Sequence, residues 1–431
     1  MSSSARRARV AVAALFLTNG AVFFTVVPRY PQLKAELGLS NALLGTAIAA
    51  FPAGALIAGL LAGAAVRRWG SARVASFGIV LMAVATLGIP AAPHWYALAA
   101  VLFVVGALDS IVDVAQNAHG LRVQRRYGRS IVNSLHGVWS VGAVLGGLMG
   151  SAAAGLSLPL GVHLTISAAV FSVVALVAYR FLLPGPEDAE RTATSPDGLP
   201  AASPTDLPAS PADVPAASPA GVLIGSSAGA PAVVPVAVEA RPARWSPGGP
   251  AVRMLVALGV LAACGSLVED AGASWGALYL TDLHAAAATA GLAVVALQVA
   301  MTAGRLAGDR VVDRFGQRTV VRAGGALAAA GMGGALAFPS GPTALIGFAL
   351  AGLGVATLVP AAMHTADELP GLSPGTGLTI VSWLLRGGFL LSPPIVGLVA
   401  DRTSLRVGLL TVVAAGLVTA ALSQVLTDHH R

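Results

Sequence analysis

Apolar runs of about 20 residues, the length a helix needs to cross a bilayer, recur along this chain with short polar breaks between them. No other feature restricts the fold so tightly. The runs predict spans near Val10–Val27, Ala42–Val66, Val74–Ala92, Tyr96–Ala118, Ile131–Leu156 and Leu160–Leu183, then Val252–Leu280, Ala286–Ala307, Thr319–Phe338, Thr343–Met363, Thr376–Ala400 and Leu405–Leu426. They are continuous rather than alternating, so they read as helices and not as strands of a barrel. The balance of residues agrees, with 56% hydrophobic and only 10% charged, against roughly 45–50% apolar in soluble domains. The first run lacks a small-residue cleavage site and carries Asn19 and Gly20, so it is expected to stay as a helix rather than be removed as a signal.

The net charge of +7 would suit a nucleic-acid binder, but its distribution argues against one. Arginines gather in alternate loops: Arg6, Arg7 and Arg9 before the first run, Arg67, Arg68 and Arg73 after the second, Arg122, Arg125, Arg126 and Arg129 after the fourth, and a further group after the eighth. By the positive-inside rule this bias places both termini and the centre of the chain in the cytoplasm of a cell whose inner membrane the protein spans. Cys264 is the lone cysteine, which excludes a disulfide framework. There is no GxxxxGK[ST] loop and no Cys/His cluster, so neither ATP hydrolysis nor a metal site is expected. No nucleophile–base pair marks an enzyme.

Between Pro184 and Pro250 the composition turns to Pro, Ala and Ser without helical period, the pattern of a disordered linker. It divides the chain into 1–183, 184–250 and 251–431. A mid-chain tether between two sets of six runs suggests an internal repeat. Laying Arg68-Trp69-Gly70 on Arg314-Phe315-Gly316 without gaps also puts Val66 on Val312, Val74 on Val320, Gly106 on Gly352 and Gly142 on Gly388. The loop match carries this alignment, since chance glycine matches are common in a chain with 51 of them.

The loops "GLLAGAAVRRWGSAR" and "GRLAGDRVVDRFGQR" resemble the cytoplasmic signature of the major facilitator superfamily. The resemblance implies an all-α bundle of 12 transmembrane helices in two pseudo-symmetric halves, with a small-molecule substrate bound between them and no cofactor. It also implies that Gly304, Asp309, Arg310, Arg314 and Gly316, with Arg68 and Gly70 in the first half, latch the two halves in the outward-open state. The first loop departs from the signature, with Gly63 or Ala64 where the Asp would stand. The alternative for these arginines is topological anchoring alone. "DVAQNAHGLRVQRRYGRSIVNSLHGVWSVGA" and "EDAGASWGALYL" resemble a bacterial subgroup of these transporters in which acids are expected where Gln124 and Ser274 stand.

Ionisable groups at membrane depth cost about 2.5–3.5 kcal/mol each on insertion scales, so they usually face a cavity or a partner. Asp109 and Asp113 stand four residues apart on one helix face, with Gln116 and Asn117 continuing the stripe. Carboxylates crowded in this way suit proton uptake and release. His136 in the fifth run is placed to meet Asp113, and is either a proton relay or a packing residue. Glu269 and Asp270 belong to the seventh run, and Arg386 to the eleventh. Arg386 stays charged and needs either a protein carboxylate, for which Asp109 and Glu269 are candidates, or an anionic substrate.

Asp109, Asp113, His136, Glu269 and Asp270 are therefore the candidate proton-coupling groups. Asn19, Asn117, Trp139, Gln298 and Arg386 are candidates for lining the substrate cavity; Trp275 and Trp383 are further candidates, although Trp275 also suits interfacial anchoring. The segment Gly142–Gly147, "GAVLGG", resembles the family's antiporter element, with Ala143 where that element has Pro, yet such spacing serves helix packing equally. The expectation is a monomeric, proton-coupled secondary transporter that exports rather than imports a small organic solute. A non-transporting membrane receptor or scaffold with the same fold is the alternative.

Overall fold

The computed structural model describes residues 3–128, 131–185, 249–369 and 376–426. Most of the expected linker, 184–250, lies outside the described residues. Twelve helical segments are long and apolar enough to cross a membrane: Ser4–Glu36, Asn41–Trp69, Ser71–Gly88, Trp95–Tyr127, Ser134–Gly155, Leu160–Tyr179, Ala251–Asp282, Ala287–Phe315, Gln317–Ala337, Gly341–Asp367, Thr376–Arg402 and Leu405–Val425. Each coincides with one expected run. The fourth and eighth extend past the expected ends at Ala118 and Ala307 because a run of charge does not stop a helix. The first stop signals are Gly128 and Gly316, at φ +71° and +80°, a region open to glycine at no steric cost.

Prolines shape several spans from within. The first breaks after Phe24 into a 3-10 turn at Val27–Arg29 and a short helix at Tyr30–Glu36, with Pro28 and Pro31 at the starts of these pieces. The tenth breaks between Val355 and Leu358, just ahead of Pro360, whose ring would clash with the preceding turn. Ser40 and Ser404 cap helix starts through their side chains, and Ser340 forms a capping box with Thr343. The outer surface exposes Ile57, Leu60, Leu61, Val173, Val177, Ile346 and Leu417, which is stable only against lipid.

The two six-helix halves repeat each other down to single contacts. Val66 O accepts from Gly70 N at 2.8 Å, and Val312 O accepts from Gly316 N at 2.9 Å. Arg68 lies over the Trp69 ring at 5.9 Å, and Arg314 over the Phe315 ring at 5.5 Å. Gly106 packs on the carbonyl of Phe51, and Gly352 on that of Leu297. Gly142 packs on Leu17, and Gly388 on Ala263. The offset that aligns the two loops also aligns every member of these pairs, so the matched glycines are equivalent contacts and not coincidences.

We call the face from which the first span starts the near face, and the opposite one the far face. The halves meet closely at the far face. Gly45 lies against the carbonyl of Pro393 and the Trp275 ring, Gly397 against Asn41, Gly155 against Ala288, and Gly291 against Ser151 and Pro28. Glycines allow helix backbones to approach this closely, which drives packing where no hydrophobic force separates helix from lipid.

Candidate functional site

One cavity lies where the halves diverge below this seam. It is lined by Phe23, Phe24, Ile48, Phe51, Pro52, Ala55, Asp109, Ser110 and Asp113 from the first half, and by Glu269, Asp270, Ala273, Arg386 and Phe389 from the second. About 60 Å3 is open to the centres of water molecules. The glycine seam shuts the cavity toward the far face.

Asp109 and Asp113 project from one face of the fourth span, as their spacing requires. Asp109 is 8% exposed and accepts a hydrogen bond from Asn19 Nδ2 at 3.0 Å. The Asn19 carbonyl in turn accepts from Trp139 Nε1 at 2.7 Å. This buried relay ties the first, fourth and fifth spans together and holds the Asp109 carboxyl in one orientation. Asp113 Oδ1 accepts from Asn117 Nδ2 at 3.0 Å and from Gln116 Nε2 at 3.3 Å, both from the next turn of its own helix. Asn19, Trp139 and Asn117 therefore stand behind the carboxylates rather than on the cavity wall.

In the second half, Glu269 Oε2 pairs with Arg305 at 3.4 Å. Its other oxygen, Oε1, is buried without a hydrogen-bond partner. Asp270 Oδ1 accepts from Ser274 Oγ at 3.2 Å, while Oδ2 is likewise buried without a hydrogen-bond partner. Arg386 lines the same cavity as Asp113 of the first half. The expected pairing of Arg386 with Glu269 is thus corrected: Arg305, about three turns of helix before Gly316, takes Glu269.

Three other expectations are corrected. His136 does not hydrogen-bond Asp113; its ring meets Phe16 edge-on, with centroids 5.3 Å apart, and Nε2 is buried without a hydrogen-bond partner. Gln298 is 1% exposed and absent from the cavity lining. Trp275 is fully buried at the far-face seam rather than anchored at an interface, and Trp383 is half-exposed. Sequence reasoning did not reach the phenylalanines, because a Phe in an apolar span has the same local pattern whether it faces lipid or cavity. It did not single out Arg305, which follows Gly304 inside the eighth span.

Gln124, where an acid was expected, caps the fifth span: its Oε1 accepts from the N–H groups of Ile131 at 2.9 Å and Val132 at 3.3 Å. The near-face loop residues Asp309, Arg310 and Arg314 are exposed. No hydrogen bond or ion pair among the described residues reaches Asp309. Gly142, Gly146 and Gly150 pack on the carbonyls of Leu17, Ala21 and Thr25, so the glycine-rich element of the fifth span lies directly against the first span. The described residues contain no group of three metal-ligating side chains.

Comparison with known proteins places this architecture. A sequence model of the Major Facilitator Superfamily matches residues 12–268 and 255–430. The membrane protein MosC of Rhizobium meliloti is 30% identical over 98% of this chain and 90% of its own length. An uncharacterized MFS-type transporter of Yersinia pestis is 28% identical over 93% of this chain and 91% of its own. Among solved structures, the nucleoside transporter NupG superposes with a TM-score of 0.69 at 13% identity, covering 98% of this chain and 99% of that one. A bacterial homolog of the human lysosomal transporter Spinster, in an inward-facing and occupied conformation, gives 0.71 at 15% identity over the whole of both chains.

Proposed function

The chain belongs to the major facilitator superfamily, a family of membrane transporters and not of enzymes, and from that premise we propose that it is a proton-coupled secondary transporter working by alternating access. The observation that carries the reading is a cavity into which both halves present carboxylates, Asp109 and Asp113 from one and Glu269 and Asp270 from the other. Charges tolerated at membrane depth because they line a shared passage are what coupling requires.

Asp109 and Asp113 are the proton carriers in this proposal. The alternating arginine loops support a cytoplasmic near face in the inner membrane, which makes the far-closed arrangement an inward-facing state. The proposed division is 1–183 and 251–431 with a cytoplasmic tether at 184–250, and the working unit is a monomer. For the direction we propose export, on the resemblance of Gly142–Gly147 to the family's antiporter element.

The test uses proteoliposomes loaded with a pH-sensitive dye and challenged with a panel of small organic amines, acids and neutral compounds. Compound-dependent proton movement in the wild type, lost in Asp109→Asn and Asp113→Asn, is the expected result. Movement that survives in both variants removes these carboxylates from the mechanism. Compound flux without proton movement reduces the protein to a uniporter.

A further inference from the structure

We propose that the cavity takes an organic cation, an amine carried on an apolar or aromatic body, and that Glu269 and Asp270 receive its charge. The proposal deepens the transporter reading and rests on it, by dividing the labour between the halves: Asp109 and Asp113 carry protons, while the second-half pair carries the substrate.

The charge balance is the first support. Four carboxylates line the cavity against one lining guanidinium, Arg386. Arg305 behind the wall is bonded to Glu269. One guanidinium does not balance four acidic side chains, so acidic groups are in surplus in the lining.

The second support is independent of that count. Glu269 is 4% exposed, lines the cavity, and keeps Oε1 without a hydrogen-bond partner although Oε2 is paired. Asp270, the adjacent residue, keeps Oδ2 buried without a hydrogen bond of normal geometry, although the Ser392 hydroxyl lies beside its carboxyl. A buried carboxylate oxygen with no donor loses its desolvation energy uncompensated, and an ammonium is the donor that would supply both charge and N–H. In the first half one oxygen of Asp109 accepts from Asn19 and one of Asp113 from Asn117 and Gln116, and among the described residues neither carboxylate has a fully buried oxygen without a partner.

The third support is the opposite wall. Phe23 lies against Phe51 with centroids 4.4 Å apart and meets Phe24 edge-on at 5.3 Å, and Phe389 adds a further aromatic side chain to the lining from the second half. Aromatic faces receive apolar bodies and attract cations within about 6 Å, so both parts of such a substrate find a surface.

The experiment uses the purified full-length protein in lipid nanodiscs and three ligands that share one body: 4-phenylbutylammonium, 4-phenylbutanol and 4-phenylbutanoate. Equilibrium binding at fixed pH, with no gradient, should rank the cation at least ten-fold tighter than the alcohol, with the carboxylate weakest. The preference for cation over alcohol should fall at least ten-fold in Glu269→Gln. Asp270→Asn provides the second reading, should loss of the Arg305 pair impair folding of the first variant. Equal binding of the three, tightest binding of the carboxylate, or binding of none overturns the proposal, as does a cation preference that survives both substitutions. Such outcomes leave proton-coupled transport standing. Conversely, a bound cation that moves no protons defeats the coupling and keeps the substrate class.

Discussion

Asp401, near the far end of the eleventh span, caps the second span at Asn41: its carboxylate accepts from the Asn41 and Ala42 N–H groups, both at 2.8 Å. The bond crosses from one half to the other. It places a negative charge at the positive end of a helix, where the first N–H groups have no partner within the helix. Together with Gly45 and Gly397, which let the same two spans touch, it holds the far face shut.

Asp401→Asn keeps the shape but offers one acceptor oxygen in place of two and no charge. The far-closed state should lose about 1 kcal/mol, enough to raise opening about five-fold. The reporter is Ser151→Cys in a Cys264→Ser background, because Ser151 is buried against Gly291 at the seam and becomes reachable when the halves part. Faster reaction with an impermeant maleimide is expected. An unchanged rate would show that the glycine seam alone keeps the face closed.

Asn19 supports two groups at once, donating to Asp109 and accepting from Trp139. Hydrogen bonds between membrane helices contribute about 0.6 kcal/mol on average and up to about 1.7, so Asn19→Ala should cost about 1–2 kcal/mol in thermal or denaturant unfolding. A double-mutant cycle with Trp139→Phe isolates the link. If Asn19→Ala costs the same with Phe as with Trp at 139, the two side chains are not coupled.

The repeat gives a paired prediction. An added methyl at Gly142 would strike the Leu17 carbonyl and one at Gly388 the Ala263 backbone and Ser266 Oγ, so Gly142→Ala and Gly388→Ala should each destabilise by about 1–3 kcal/mol. At Gly137 and Gly387 nothing lies within 4 Å of that methyl. Alanine there should be neutral or should stabilise by up to about 1 kcal/mol. Melting temperatures of the four variants decide, and a loss at Gly387 as large as that at neighbouring Gly388 would contradict the packing account.

The spans were legible in the sequence because hydropathy is a one-dimensional property, and Asp109 and Asp113 were legible as a pair because helical period fixes a shared face. Partnerships across helices were not. Whether Glu269 meets Arg305 or Arg386 depends on how two helices rotate and cross, which no local pattern records, and the same holds for His136 turning to Phe16 instead of Asp113. Asp401 illustrates a further limit: beside Arg402 in a polar loop it resembles any solvated charge, and only the fold brings it to the start of a helix in the other half.

The near-face loop should oppose Asp401. In the far-closed state Asp309 is exposed and bonded to nothing among the described residues, so Asp309→Asn should leave this state untouched. By the signature's role as a latch, the carboxylate is used only when the near face closes and the far face opens. Its loss then penalises the opposite state by about 1 kcal/mol, and the Ser151→Cys label should react more slowly in Asp309→Asn, the reverse of Asp401→Asn. The two sites lie at opposite ends of the bundle and share no partner, so their effects should add and the double variant should label at nearly the wild-type rate. Labelling that rises in Asp309→Asn, or a double variant that follows Asp401→Asn alone, would reduce the loop to a topological anchor.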